Sequence, residues 1–544
     1  MQRLIVRGAA ALMLLAAAPA FADVMLDGHS ATPDLIARIA DGEAVSIAPA
    51  ARQRVTAAHD VLLEAAAAGQ QIYGLTVGVG LNKDRKMVDA HGKLTDEVID
   101  ASTRFNLGLI RAHSGSVGPD MSVRVARAAM AARLNAMLDG GAGVQPAIVD
   151  AYAQCLNRGV TPAMPADGSI GEADITILSH VGLAMLGEGD AYYRGRKLPA
   201  ADALKAAGIA PIRPFGKDAL AILSSNAYSA GMAALALHDM AQLARVSKQV
   251  FALSLQGLNG NVSPLREDTL ALRPFPYTQR AGAALRALLA GSSLWNRDPD
   301  RPLQDPLSFR SGVYLLGEED RTLDAARALI AIQLNSSDDN PGVAVGVTPK
   351  SARAQDAAGY VDGGGAVLPS ANFEPLPWVL AFEELGLALA HNALASAQRV
   401  VKLNDPHLTG LSRFLGTDQT VHAFGAMEKP PTALAMANKA LAMPVSLDYL
   451  PVAGGIEDIA TNAPEVVERV QQQIDNSYAL LGIELIQAAQ AIDLRRRKQA
   501  DFALAPATAP LYHALRGQVA FLEQDRPLTP DFRAAAKLLK DYRD

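Results

Sequence analysis

Asn462-Ala463-Pro464-Glu465-Val466-Val467-Glu468-Arg469-Val470-Gln471-Gln472-Gln473-Ile474-Asp475-Asn476-Ser477-Tyr478-Ala479-Leu480-Leu481-Gly482-Ile483-Glu484-Leu485 carries the pattern that decides the fold. Val467, Val470, Ile474, Tyr478, Leu481 and Leu485 recur at steps of three and four, which lines one face of an α-helix. Asn462 stands where an N-cap belongs, and the spacing predicts a helix over about 463–494. The basic run Arg495-Arg496-Arg497-Lys498 follows, read as dipole complementation and a solvated face. A second long helix is expected at about 376–401, and 217–257 has the Ala/Leu/Met pattern of one or two buried helices. Shorter helical patterns cover 33–70, 97–115, 121–138 and 319–334, whereas 258–307 reads as irregular and proline-rich. Residues 348–366 are polar and glycine-rich, a surface excursion. Helices of this length outside a coiled-coil repeat point to a helical bundle and to an oligomer built on it.

The composition agrees. The chain has 544 residues, half of them apolar but only 5% aromatic, which favours packed alanine-rich helices over sheets. A net charge of −6 leaves no electrostatic footprint for nucleic acid. Cys155 is the only cysteine, so no intramolecular disulfide can form, and zinc-ligand spacings are absent; no metal is expected. Arg3 and Arg7, an apolar run from Ala9 to Ala18, and Ala20-Phe21-Ala22 read as a cleavable signal peptide over 1–22. The run is too short to span a bilayer, so the mature chain is expected in a periplasm, free of membrane.

Chemistry is expected where a turn feeds a helix. Gly168-Ser169-Ile170-Gly171-Glu172-Ala173-Asp174 is such a turn, and Ile175 to Leu186 continues as a buried helix. Glu172 and Asp174 stand at its mouth, where helix N-terminal complementation and a ligand role both remain open. Upstream, Tyr73 opens the glycine loop Gly74-Leu75-Thr76-Val77-Gly78-Val79-Gly80. That loop lacks the strand, the helix and the Lys-Ser/Thr ending of a phosphate loop. His113 closes a helix, which suits a cap or a satisfied core group, and Arg310 is expected to open the helix after Gln304-Asp305-Pro306.

The ordered set of motifs resembles the histidine ammonia-lyase branch of the aromatic amino acid lyases. It comprises Tyr73-Gly74, His113, Gly168-Ser169-Ile170-Gly171, Leu186-Gly187-Glu188-Gly189, Tyr193-Arg194-Gly195, Gln304-Asp305-Pro306 with Arg310, Asp339-Asn340-Pro341, Asn372-Phe373, Asp448-Tyr449-Leu450-Pro451 and Glu457-Asp458. The resemblance implies a mainly α fold: a smaller loop-rich N-terminal domain, 23–216, on a long-helix bundle, 217–544, assembled as a homotetramer. It also implies roles: Tyr73 as general base, Arg310 as carboxylate clamp, and His113 and Glu457 as partners of a substrate ring.

The departures carry as much information. In the family, Gly-Ser-x-Gly runs into Ala-Ser-Gly, which cyclises to a methylidene-imidazolone electrophile. Here Glu172-Ala173-Asp174 follows; Ala173 has no hydroxyl to lose and Asp174 is not glycine, so this prosthetic group, and any cofactor, is expected to be absent. Ser224-Ser225-Asn226 stands where the family has Asn-Gly-Thr, Leu307 where it has tyrosine, and Glu374 where it often has histidine. A primary amine is a poor leaving group without the electrophile; a quaternary ammonium leaves as a neutral tertiary amine without one. The chain thereby resembles the ergothionase branch, which eliminates trimethylamine from the betaine ergothioneine and leaves thiourocanate. On that reading Glu172, Asp174 and Glu374 stand near the substrate's ammonium, where carboxylates suit a fixed cation, and Ser224 and Asn226 are further substrate-binding positions. An ammonia-lyase or aminomutase acting on a free aromatic amino acid, and a non-catalytic exported binding protein, remain the alternatives.

Overall fold

The computed structural model describes residues 23–79, 95–299, 301–351 and 353–543; residues 1–22, expected to be a signal peptide, lie outside them. The chain is mainly helical. The helices that position the site are α1 (Asp96–His113), α2 (Val123–Leu138), α3 (Ile175–Met185), α4 (Asp218–Leu223), α5 (Ala227–Leu258), α6 (Gly312–Leu334), α7 (Leu376–Leu403) and α8 (Ala463–Lys498). α8 packs most extensively on α5 and α7, and α5 also receives α2 and α6. Both long helices expected from the apolar stripes are present.

One continuous apolar cluster runs from Val24 to Leu539 and takes in α2, α5, α6, α7 and α8, so residues on both sides of position 217 share a core. The stretch Asp218–Leu258 is long and apolar enough to cross a membrane, but 94% of its most apolar window is buried inside the protein. Its apolar surface is spent on the core, and the chain breaks at Ser224-Ser225-Asn226 into α4 and α5. The strands are short: Gly342–Val345, Gly365–Leu368 and Tyr360–Val361 form an antiparallel sheet with Gly365–Leu368 in the middle.

Four expectations need correction. Residues 258–307 are not irregular throughout: Pro276–Leu289 is a helix whose proline occupies its first turn, where no N–H is needed. Arg310 does not open a helix; it ends the single turn Leu307–Arg310, and α6 begins at Gly312. Asn462 does not cap α8 through its side chain: it sits at φ +47, and its Nδ2 donates to Val445 O (2.9 Å) and Asp448 O. Arg495 is not solvated. It is buried, and its Nη2 donates to Gly257 O (3.0 Å), Leu258 O (3.2 Å) and Thr409 O (2.8 Å), satisfying carbonyls at the C-terminal ends of α5 and a neighbouring turn.

Candidate active site

Four helices begin in one small region: α3, α5, α7 and α8. Hydrogen bonds tie together the segments that lead into them. Asp174 N–H donates to Ser225 O (2.8 Å), and Asn462 N–H donates to Ile170 O (2.7 Å). Asn226 Nδ2 donates to Phe373 O. The packing is close at Gly171, which sits at φ +88; a Cβ there would lie 2.6 Å from the Ala463 nitrogen, so only glycine fits. Helix N-termini present unpaired N–H groups and positive dipole ends, so this region favours negative charge.

Asp174 uses that field structurally. It is fully buried, and its carboxylate accepts from Ser169 Oγ (2.6 Å), Ser229 Oγ (2.8 Å) and Ser229 N–H (2.8 Å). Ser229 lies in the first turn of α5, so Asp174 caps a helix distant in sequence rather than the one it precedes. Burial pushes its carboxyl up to about 6 against the pull of these donors. The expectation that Asp174 meets a substrate is corrected. Asn226 is likewise fully buried: its Oδ1 accepts from Ala173 N–H (2.9 Å) and its own N–H donates to Asp338 Oδ2 (2.7 Å). It does not face a ligand either. Ser224 is half-buried, and its N–H closes the last turn of α4 on Leu220 O (2.8 Å).

Glu172 is different. It is half-buried, and its Oε1 is shielded from solvent without a hydrogen-bond partner. Burial, then the Glu374 and Glu457 carboxylates, push its carboxyl up to about 8. The charges of two acids from separate segments thus reach Glu172. Glu374 commits one oxygen to the first turn of α7, accepting from Leu376 N–H (2.9 Å). Glu457 is half-buried in the loop ahead of α8, bridged to Val452. Among the described residues no group of three or more His, Cys, Asp or Glu is spaced to hold a metal ion, so the acids do not form a metal-ligand set.

Tyr73 and His113 approach from the N-terminal half. Tyr73 is half-buried in an apolar cluster with Leu109 and Ile110 of α1, Leu220 and Leu223 of α4, and Ile175 of α3. Gly74 follows at φ +76, and a Cβ there would lie 2.3 Å from Leu220 Cδ2. The end of the glycine loop, Gly80 onward, lies outside the described residues. His113 ends α1, with Nδ1 2.8 Å from Leu109 O. A carbonyl only accepts, so Nδ1 carries the proton and Nε2 of the neutral ring is an acceptor. Ser179 Oγ donates to His113 O (2.9 Å), fixing α1 on α3.

Arg310 is not part of this cluster within one chain. Its neighbour Phe309 packs on Phe251, with ring centroids 6.4 Å apart. Phe251 and Ser229, which bonds Asp174, lie far apart on the single helix α5, a rise of about 33 Å. Arg310 Nη1 donates to Gln304 Oε1.

The buried group behind the turn left no direct sign in the sequence. Arg133, fully buried on α2, donates to Asp338 (3.1 Å) and Asp339 (2.8 Å), and Lys217 donates to Asp339 (3.3 Å). Asp338 in turn holds Ser225 Oγ (2.9 Å) and Asn226 N–H. One partial signal was available: the arginines of the alanine-rich run 126–138 need acids or carbonyls as partners if that helix is buried all round, and Arg133 takes acids where Arg127 takes the carbonyls of Ile39, Ala40 and Leu156.

A methylidene-imidazolone does not fit these residues. Ala173 offers no hydroxyl, its N–H is held by Asn226, and the Asp174 N–H is held by Ser225 O. Cyclisation needs an amide nitrogen free to attack a carbonyl, and both in this turn are bonded.

A sequence model described as aromatic amino acid lyase matches residues 31–517. Histidine ammonia-lyase of Sorangium cellulosum is 34% identical over 506 residues, covering 92% of this chain and 93% of that protein. The crystal structure of ergothionase from Treponema denticola, in complex with desmethyl-ergothioneine sulfonic acid, superposes with a TM-score of 0.84 at 34% identity. It covers 95% of this chain and 99% of that one. Histidine ammonia-lyase from Trypanosoma cruzi gives a TM-score of 0.82 at 26% identity, covering 95% and 93%. The match spans the bundle, the turn and every motif described above, and the chain belongs to the aromatic amino acid lyase family.

Proposed function

We propose that this carbon–nitrogen lyase releases trimethylamine from ergothioneine, leaving thiourocanate, without a methylidene-imidazolone. The observation that carries the reading is the Glu172-Ala173-Asp174 turn: it holds no residue able to form the electrophile, and its half-buried Glu172 is within reach of the Glu374 and Glu457 charges. Identity alone does not separate the two branches, because a histidine ammonia-lyase and the ergothionase are each 34% identical to this chain. The chemistry of the turn favours the ergothionase branch. A trimethylammonium group donates no conventional hydrogen bond, and acids that have no paired cation among the described residues suit it as a counterpart.

Tyr73, as phenolate, takes the β-proton beside the ring. The C–H electrons form the Cα=Cβ bond, and the C–N electrons leave with the amine. Trimethylamine departs neutral, so no proton needs to reach the leaving group. His113 and Glu457 hold the imidazole-type ring and stabilise charge passed into it. Arg310 clamps the carboxylate from another copy of the chain, since it is too far from the acids of its own. A homotetramer suits this arrangement. Leu380, Leu387 and Leu394, each about half exposed, repeat every seven residues on the outer face of α7 and offer a surface for a second copy. Export to a periplasm after removal of residues 1–22 completes the proposal.

The test is to incubate the protein with ergothioneine, hercynine and histidine side by side. Trimethylamine is assayed, and product ultraviolet spectra are recorded. Trimethylamine and thiourocanate from ergothioneine, with no urocanate from histidine, are expected. Urocanate from histidine at a comparable rate would overturn the reading in favour of an ammonia-lyase, and binding of betaines without turnover would overturn it in favour of a binding protein.

A further inference from the structure

We propose that Asn226 is a positioning residue whose one carboxamide sets the spacing between Glu172 and Glu374, and so the site's affinity for a fixed cation; the inference rests on the betaine reading above. The two acids belong to loops some 200 residues apart in sequence. Asn226 is the link between them. Its Oδ1 accepts from Ala173 N–H (2.9 Å), the residue after Glu172, and its Nδ2 donates to Phe373 O, the residue before Glu374. Its backbone is fixed as well: the N–H donates to Asp338 Oδ2 (2.7 Å) and the C=O accepts from Ala230 N–H (2.8 Å) in the first turn of α5. Every hydrogen-bonding group of the residue is therefore committed.

Both loops depend on this link. Ala173 sits at φ +54, a conformation a non-glycine residue adopts only when its surroundings hold it there. Among the described residues, 371–374 otherwise bond only to Ser370 and to the first turn of α7. Without Nδ2, only that turn, the Ser370 contact and the segment's own Glu374 N–H to Ala371 O bond (3.0 Å) hold Glu374, and none of them ties it to the Glu172 loop. The groups facing Glu172 are Glu374, from the segment ahead of α7, and Glu457, from the loop ahead of α8; Asp174 and Asp338 lie behind the turn with their own donors. An asparagine is suited to this position because it is at once acceptor and donor. Aspartate keeps the acceptor and loses the donor, and alanine loses both.

The test compares wild type, Asn226→Ala, Asn226→Asp, Glu374→Gln and the Asn226→Ala/Glu374→Gln double variant. Affinity for tetramethylammonium chloride is read as the rise in Tm over an equal concentration of sodium chloride. Each single variant is expected to weaken the affinity about tenfold, and the double variant by less than twofold more, because Asn226 acts through Glu374. With ergothioneine, KM rises more than kcat falls. Asn226→Asp tracks Asn226→Ala and keeps the test available if the alanine variant does not fold. The inference is overturned if the effects of Asn226→Ala and Glu374→Gln multiply, or if Asn226→Ala lowers Tm while leaving cation affinity and KM unchanged. It is also overturned if tetramethylammonium does not stabilise the wild type. Failure of the trimethylamine reading shows separately, as absence of amine release by a wild type that still binds the cation.

Discussion

Two groups of carboxylates lie on opposite sides of the same turn. Behind it, Asp338 and Asp339 are fully buried, and each faces a cation: Arg133 reaches both, and Lys217 reaches Asp339. Burial alone would raise the Asp339 carboxyl, but Arg133 and Lys217 reverse that and hold it below the usual carboxylate value. In front of the turn, Glu172 is only half-buried, yet the charged groups that act on it are two further acids, and its carboxyl is pushed up to about 8. Of the buried acids, Asp339 is the one its cations hold ionised, while burial outweighs Arg133 at Asp338 and raises its carboxyl; the more accessible Glu172 has only carboxylates among the described charges that shift it. The contrast divides the acids by their partners: the first group has its cations within the described residues, and the second is the one that the proposed function assigns to a cationic substrate.

Removing one acid from each group therefore has opposite consequences for stability. Asp339→Asn leaves Arg133 and Lys217 facing a single carboxylate in the core, and a broken buried pair costs about 3–5 kcal/mol. Chemical denaturation is expected to show that loss, with activity falling only as far as the folded fraction. A smaller loss would mean that the group behind the turn is not the anchor of the 224–226 break.

Glu172→Gln removes a carboxyl that repels its neighbours. At pH 9 the variant is expected to be more stable than wild type, by at most about 1 kcal/mol once solvent screening is allowed for. Trimethylamine release falls about 10- to 100-fold, the scale of one charge-assisted contact. Higher stability with lower activity is the signature of an acid kept for a ligand. A variant both less stable and less active would place Glu172 with the structural acids.

The sequence made one of these groups visible and hid the other. Glu172 stood out because it replaced residues in a turn whose other members, Gly168, Ser169 and Gly171, fit a pattern. The long helices α7 and α8 were legible for a related reason: their apolar stripes are local, and burial of one face depends on nothing remote. Asp174 was misassigned because its partner, Ser229, lies across the fold on another helix, and a cap supplied from a distance leaves no short-range pattern. Asn226 was misassigned in the same way, since both loops it joins are remote. Arg310 was grouped with the other site residues by motif order, and only the length of α5 separates them. The helix Pro276–Leu289 was hidden by prolines that belong to its first turn and to the segment before it.

The smallest expected effect is the pH dependence of wild type, and its sign sharpens the comparison. Glu172 has a folded value of about 8 against 4.5 for an unperturbed glutamate, so between these limits the folded state binds a proton that the unfolded state lacks. Unfolding free energy then falls as pH rises from about 4.5 through about 8, and this contribution is fully present only below 4.5. A fixed cation reverses the balance locally, because it favours the ionised carboxylate. Tetramethylammonium affinity is therefore expected to rise with pH, by less than about fivefold in all between pH 6 and 8, and to level off above. Asp339 contributes nothing in this window, because its partners keep it ionised throughout. Melting curves with and without the cation at half-unit steps of pH provide the measurement. An affinity that does not change with pH would mean that Glu172 is already ionised in the free protein. The acids in front of the turn would then have a counter-ion within the assembly, and the distinction between the two groups would disappear.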